Sequence, residues 1–185
     1  MNTIDRLLHN YASQVSLPWS SNAAGKQRIW FAVYAPSGER RIRAHLPQFE
    51  THTLEAKHGW STVDLTGIFP EWLAGHEYRE GLFASPEYFS RNDELETIAA
   101  QRVIEACSAE GADSNSVVTI VGLGSLFDFM RVSSLIERVE DSVRGRLLVL
   151  FPGEYRRNVY RFMDARDGFN YMAVPITSSE NFINS

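Results

Sequence analysis

Hydrophobic positions along this chain switch between a helical and a strand period. Residues 3–16 place Ile4, Leu7, Leu8, Tyr11 and Val15 on one helical stripe, with Thr3 as the expected cap. Arg28–Tyr34 (RIWFAVY) is dense in β-formers and predicts a strand. Ser37 is the expected cap of the next helical segment, and Pro47 is placed to open a second helix rather than to interrupt one. Trp60–Leu65 predicts a second strand, after the turn at His58 and Gly59. Ile68–Tyr78 predicts a short helix. Asn92–Ala109 predicts a longer one, with Leu95, Ile98, Ala99, Val103 and Ala106 on one face. Val117–Gly122 and Arg146–Phe151 predict two apolar strands, separated by a helix from about Leu126 to Val139. After a long irregular segment, Tyr171–Ile176 predicts a fifth strand, which Pro175 assigns to a sheet edge.

Four of these strands are near-continuous apolar or β-branched runs, the pattern of strands buried on both faces. With helices between them, they predict an α/β fold: one three-layer domain with a mainly parallel five-stranded sheet covered by helices. The expected architecture is Rossmann-like, without an intact P-loop. The expected spatial order, numbering strands along the chain, is 2-1-3-4-5. The domain is expected over 1–177, followed by a polar tail at 178–185. At 185 residues, folding buries roughly 70% of the unfolded chain's surface, so no staple is needed.

Composition narrows the chemistry. A single cysteine, Cys107, excludes an intrachain disulfide and a Cys-rich zinc site. The net charge of −5 disfavours sequence-independent DNA binding. The start lacks a signal-peptide pattern and every apolar run is too short to span a bilayer, so a cytoplasmic protein without a membrane anchor is expected. Of the 18 basic residues, only Lys26 and Lys57 are lysines. Arginine suits bidentate and stacked contacts at interfaces, although genome composition produces the same skew.

The turn after the third strand, Gly122-Leu123-Gly124-Ser125, resembles three chemical devices and completes none. A P-loop needs lysine followed by a hydroxyl, and this turn has no lysine. A dinucleotide fingerprint needs a third glycine, where Phe127 stands. A nucleophile elbow needs serine between the glycines, and all five histidines precede Ser125. The expected role is structural: Gly122 and Gly124 permit a tight exit, and Ser125 caps the following helix. An anion at Gly122, Gly124 and Ser125, as in a degenerate nucleotide-binding regulatory subunit, is the alternative. The histidines lack ligand spacing, so no metal or other cofactor is expected.

Residues 153–171, GEYRRNVYRFMDARDGFNY, are unusual. They hold four Arg, three Tyr and two Phe against one Glu and two Asp. Aromatic residues with arginine are the composition of interface anchors. Tyr155, Arg156, Arg157, Tyr160, Arg161 and Arg166 are therefore candidate partner contacts, with Arg40 and Arg41 as a second basic patch. The competing reading is internal: Arg161 and Arg166 pair with Asp164 and Asp167 to tie the segment down.

The same block carries a family resemblance. WFAVY at 30–34, HGW at 58–60, VDLT at 63–66, WLAGHEYRE at 72–80, VGLGSLF at 121–127 and GRLLVLFPGEYRRNVYRFMDARDGFNYMAVPI at 145–176 resemble the BrxB family of bacterial phage-exclusion (BREX) systems. The resemblance implies a subunit of a multi-protein defence system that methylates host DNA and excludes phage lacking the mark. That family is encoded beside an AAA+ ATPase-like subunit, an adenine-specific DNA methyltransferase and a PglZ-type alkaline-phosphatase-superfamily protein. It brings no established catalytic residues. The expectation is a non-enzymatic accessory or assembly subunit. It would bind other BREX proteins, first the PglZ-type one, and reach DNA only through the complex.

Overall fold

A computed structural model describes residues 1–77, 79–85, 87, 93–165 and 168–179. Helix α1 spans Thr3–Val15; its cap is Asn2, not Thr3, because the Asn2 carboxamide oxygen accepts from the amides of Ile4 and Asp5, both at 3.0 Å. Strand β1 (Ile29–Tyr34) leads into α2 (Glu39–Ala44) and α3 (Leu46–Glu55). Pro47 opens α3 as its position predicted, but Ser37 caps nothing: it lies inside a 3-10 turn at Pro36–Gly38, and Gly38 precedes α2. The chain continues through β2 (Gly59–Asp64), α4 (Ile68–Gly75), α5 (Arg79–Ala84), α6 (Asp93–Ser108) and β3 (Ser116–Val121). Helix α7 (Val132–Val139), β4 (Arg146–Arg156), β5 (Val159–Phe162) and β6 (Val174–Ile176) complete it.

The sheet has six strands in the order β2-β3-β4-β1-β6, with β5 paired to β4. All pairings are parallel except β4 with β5. This corrects the expected order 2-1-3-4-5: β1 lies between β4 and the last strand, not beside β2. The physical reason is the pair of helices α2 and α3, which carry the chain from β1 over two strands to the far edge. The return from β2 through β3 to β4 then runs on the opposite face. Opposite directions on opposite faces keep one crossover hand. The last strand does lie at an edge, as Pro175 indicated, because a residue without an N–H is tolerated there.

Each face of the sheet is buried under helices. One core joins Leu7 and Tyr11 of α1, Ile42 of α2 and Phe49 of α3 to Trp30, Leu148 and Leu150 of the sheet. The other joins Trp72 of α4, Leu95 and Val103 of α6 and Leu135 of α7 to Phe31, Ile120 and Val149. Strands β1 and β3 are buried at every position, which is why their sequences lack alternation. No helix among the described residues is long and apolar enough to cross a membrane.

The sixth strand replaces the irregular segment expected after Phe151. Strand β4 runs on past the sheet to Arg156, and the chain folds back as a hairpin into β5. Its turn residues, Arg157 and Asn158, both have positive φ, at 51° and 64°. That is the primed two-residue turn whose twist suits a hairpin. Gly153 permits the sharp start, since a Cβ there would stand 2.1 Å from the Arg161 carbonyl oxygen.

Candidate functional site

Parallel α/β sheets place ligands beyond the carboxyl ends of their strands. Here the ends of β1, β2, β3 and β4 surround a cavity of about 240 Å³, lined by Glu39, Arg43, Thr66, Gly122, Ser125 and Met163 among others. The Gly122 turn forms one wall. Gly122 has φ +77°, and a Cβ on it would stand 2.2 Å from Thr66 Oγ1 and 2.8 Å from the Thr66 amide nitrogen. Only glycine fits both that backbone and that approach.

The polar groups of this cavity are bonded to one another. Arg43 Nε donates to Glu39 Oε1 at 2.9 Å, and its Nη1 donates to Asp64 Oδ2 at 3.2 Å. Arg43 Nη2 also donates to the Thr66 hydroxyl. Thr66 in turn donates to Asp64 Oδ1, from its amide at 2.9 Å and from its hydroxyl at 2.5 Å. The buried Tyr34 hydroxyl donates to Glu39. Burial alone would raise the Asp64 pKa, but the hydrogen bonds from Thr66 and Arg43 outweigh it and hold it below the usual carboxylate range. Arg43 is pushed up, chiefly by its bond to Asp64.

Ser125 does not cap a helix as expected. Its hydroxyl donates to the Gly122 carbonyl at 2.7 Å, inside a 3-10 turn at Leu123–Leu126, and α7 begins only at Val132. The Ser125 amide is also spent on the Gly122 carbonyl, at 3.2 Å. Among the described residues Arg43 is the one cation lining this cavity, and two carboxylates already hold it. A phosphate placed here would meet Asp64 and Glu39 before any uncommitted positive charge. The geometry gives a closed turn with its neighbouring loops locked to it. The sequence carried a signal for this network in the i,i+4 spacing of Glu39 and Arg43 and in the Asp64-Leu65-Thr66 turn.

The β4–β5 hairpin has the opposite character. In register Tyr155 faces Tyr160, Glu154 faces Arg161 and Arg156 faces Val159. Alternation therefore sends Tyr160 and Phe162 inward and Glu154, Arg156, Val159 and Arg161 outward. Tyr160 is corrected from a surface contact to a core residue. It is 0% exposed, its hydroxyl donates to the Ala173 carbonyl at 2.9 Å, and its ring lies 4.7 Å from Phe31 and 4.6 Å from Tyr155. Tyr155 is half-buried against it, with its hydroxyl donating to Asn158 Oδ1 at 3.0 Å.

Arg156, Arg157 and Arg161 are exposed. Arg156 approaches Glu154 only at 4.0 Å, and neither Arg157 nor Arg161 forms an ion pair among the described residues. The internal network proposed for this segment is thus not formed between Arg161 and Asp164; Arg166 and Asp167 lie outside the described residues. A groove of about 730 Å³ runs between Tyr155, Arg156 and Arg157 of the hairpin, Val174 and Pro175 of edge strand β6, and Gln14 of α1. Arg40 and Arg41 are exposed on α2 and do not line this groove.

These features define an open, doubly covered parallel α/β sheet, closed at its glycine turn and extended by a basic and aromatic hairpin. The family described as BREX protein BrxB matches residues 64–176, which is more than half of the chain and includes both the turn and the hairpin. The chain belongs to the BrxB family and is thereby a component of BREX phage defence. No curated protein and no solved structure matches it. The motifs at 30–34 and 58–60 lie outside the matched region.

Proposed function

We propose that this protein is a non-enzymatic assembly subunit of its BREX system, and that the β4–β5 hairpin is its main contact surface. The observation that carries this reading is the outward face of that hairpin, where Arg156, Arg157 and Arg161 stand without a full ion pair among the described residues. Arginines on a rigid strand lose less side-chain freedom on binding than arginines in a mobile loop, and they fork onto carboxylates bidentately. The half-buried Tyr155 beside them supplies the aromatic anchor of such an interface. The groove adds the edge of β6, against which an extended segment of a partner can pair.

The first partner to test is the PglZ-type subunit, followed by the AAA+ ATPase-like subunit and the methyltransferase. Support for a non-enzymatic role comes from the incomplete motifs and from the internally bonded groups around Gly122. Size-exclusion chromatography with light scattering, run on this protein alone and mixed with each subunit, is the test. A stoichiometric complex with the PglZ-type subunit is the expected result. Separate elution from every subunit would overturn the assembly role.

A further inference from the structure

The amino-terminal edge of the sheet carries positive charge that the described residues do not balance. Arg28 ends the turn into β1 and Arg146 opens β4. Ile29 pairs with Leu147, so the two arginines stand side by side one step earlier. Arg146 is only 6% exposed. Its guanidinium carbon lies 4.7 Å from the Trp19 ring centre and 5.9 Å from that of Trp30. Among the described residues neither arginine forms an ion pair, whereas Arg43, Arg102 and Arg138 all do.

The hydrogen bonds leave a deficit. A guanidinium carries five N–H donors that radiate in its plane. Stacking on tryptophan satisfies the face of Arg146 but not those donors. Nη1 of Arg146 donates to the Gly145 carbonyl at 3.0 Å, which is its one side-chain hydrogen bond among the described residues. Arg28 donates to the carbonyls of Val143 at 3.2 Å and Ser21 at 3.4 Å, while its Nε is buried without an acceptor. The indole N–H of Trp19 is buried without an acceptor as well. Trp19 is held in place, stacked on His58 at 3.6 Å and edge-on to Trp30 at 5.8 Å. A buried cation without a counter-charge is costly, and a second cation beside it adds to that cost. Burial, and then Arg28, accordingly lower the Arg146 pKa.

We infer that Arg28, Arg146 and Trp19 form a site for a tetrahedral oxyanion of the phosphate class, at the amino ends of β1 and β4. The donors come from three side chains. A carboxylate offers two oxygens in one plane, which suits a single guanidinium fork. A phosphate offers an oxygen to each donor group. Trp19, His58 and Arg28 are half-buried residues, although Arg28 Nε and Trp19 Nε1 are themselves covered. The site lies at the opposite end of the sheet from the Gly122 turn, and it is independent of the hairpin surface.

Isothermal titration calorimetry of the intact chain with inorganic phosphate, at constant ionic strength in chloride, tests this. Saturable heat is the expected result, with sulfate substituting and acetate binding at least about tenfold more weakly. Arg28→Gln is expected to weaken phosphate at least about tenfold, the scale of a charged hydrogen bond. Trp19→Phe keeps an aromatic ring but loses the five-membered part of the indole with its N–H, and is expected to weaken it several-fold. It serves as the second variant should Arg28→Gln lose its native circular dichroism. The assignment is overturned by the absence of saturable heat with phosphate, by acetate binding as tightly as phosphate, or by unchanged affinity in both folded variants.

Discussion

The Gly122 turn and the β4–β5 hairpin both lie beyond the carboxyl ends of the sheet, yet they treat charge in opposite ways. At the turn, Glu39, Arg43, Asp64 and Thr66 bond to one another, and Ser125 bonds back to Gly122. At the hairpin, the inner face is locked into the core by Tyr160 and Phe162, while the outer face presents Arg156, Arg157 and Arg161. The first region uses its polar groups to build the fold. The second leaves them exposed, Arg156 and Arg161 on the strands and Arg157 in the turn. The sequence motif draws attention to the glycine turn, but of these two regions it is the hairpin that exposes its arginines.

Breaking the hairpin's inner face has the largest expected effect. Tyr160→Ala removes a buried ring and its bond to Ala173, and should cost about 3–5 kcal/mol of stability. Chemical denaturation reads this directly, and a loss under 1 kcal/mol would show that Tyr160 is not part of the core. Gly122→Ala comes next. It forces a left-handed residue against Thr66, with an expected cost of about 1–3 kcal/mol. A neutral outcome in the same denaturation assay would mean that the turn is not locked as described.

A smaller effect separates the paired carboxylate from ordinary surface acids. The folded-state pKa of Asp64 lies below its unfolded value. Its contribution is therefore fully present above the unfolded value, near pH 4, and is lost as pH falls through the depressed folded value. Asp64→Asn should lower stability at neutral pH and flatten the decline of stability below about pH 4. A variant whose pH profile parallels that of the parent would remove the Arg43–Asp64 pair from the account. The smallest effect concerns Cys107. Burial pushes its thiol up to about 11, against a weak opposing pull from Arg144. It should stay unmodified by a thiol reagent at pH 8 until the chain unfolds. Rapid labelling of the native protein would show that helix α6 opens readily.

The fold was largely legible because its strands are buried on both faces. Strands β1, β3 and the first part of β4 are near-continuous apolar or β-branched runs, the pattern of strands covered on both faces. Strand order was not legible from burial, which says how deep a strand lies and not which strand it pairs with. A cue did exist in the connection between β1 and β2, where two helices give enough chain to step over β4 and β3. The hairpin was missed because its turn is Arg157-Asn158, which lacks the Asn-Gly or Asp-Gly signature of the primed turns. In an irregular segment the alternation of Tyr160 and Phe162 against Val159 and Arg161 has no meaning. Once it is a strand, that alternation separates core from exposed surface. At the glycine turn, the sequence suggested Ser125 as a cap, but the hydroxyl donates to Gly122 because the chain stays in a tight 3-10 turn there.

The central claim is that binding resides in the outer face of the hairpin and not in the fold's stability. Its most direct test is the affinity of the PglZ-type subunit for this protein and for the double variant Arg156→Glu, Arg157→Glu, with melting temperatures measured in parallel. Both positions are exposed, so each protein should melt at nearly the same temperature. The account predicts a loss of affinity of at least about a hundredfold, the scale of two reversed interfacial charges. Unchanged affinity in a folded double variant would contradict it, and would place the contact elsewhere on the molecule.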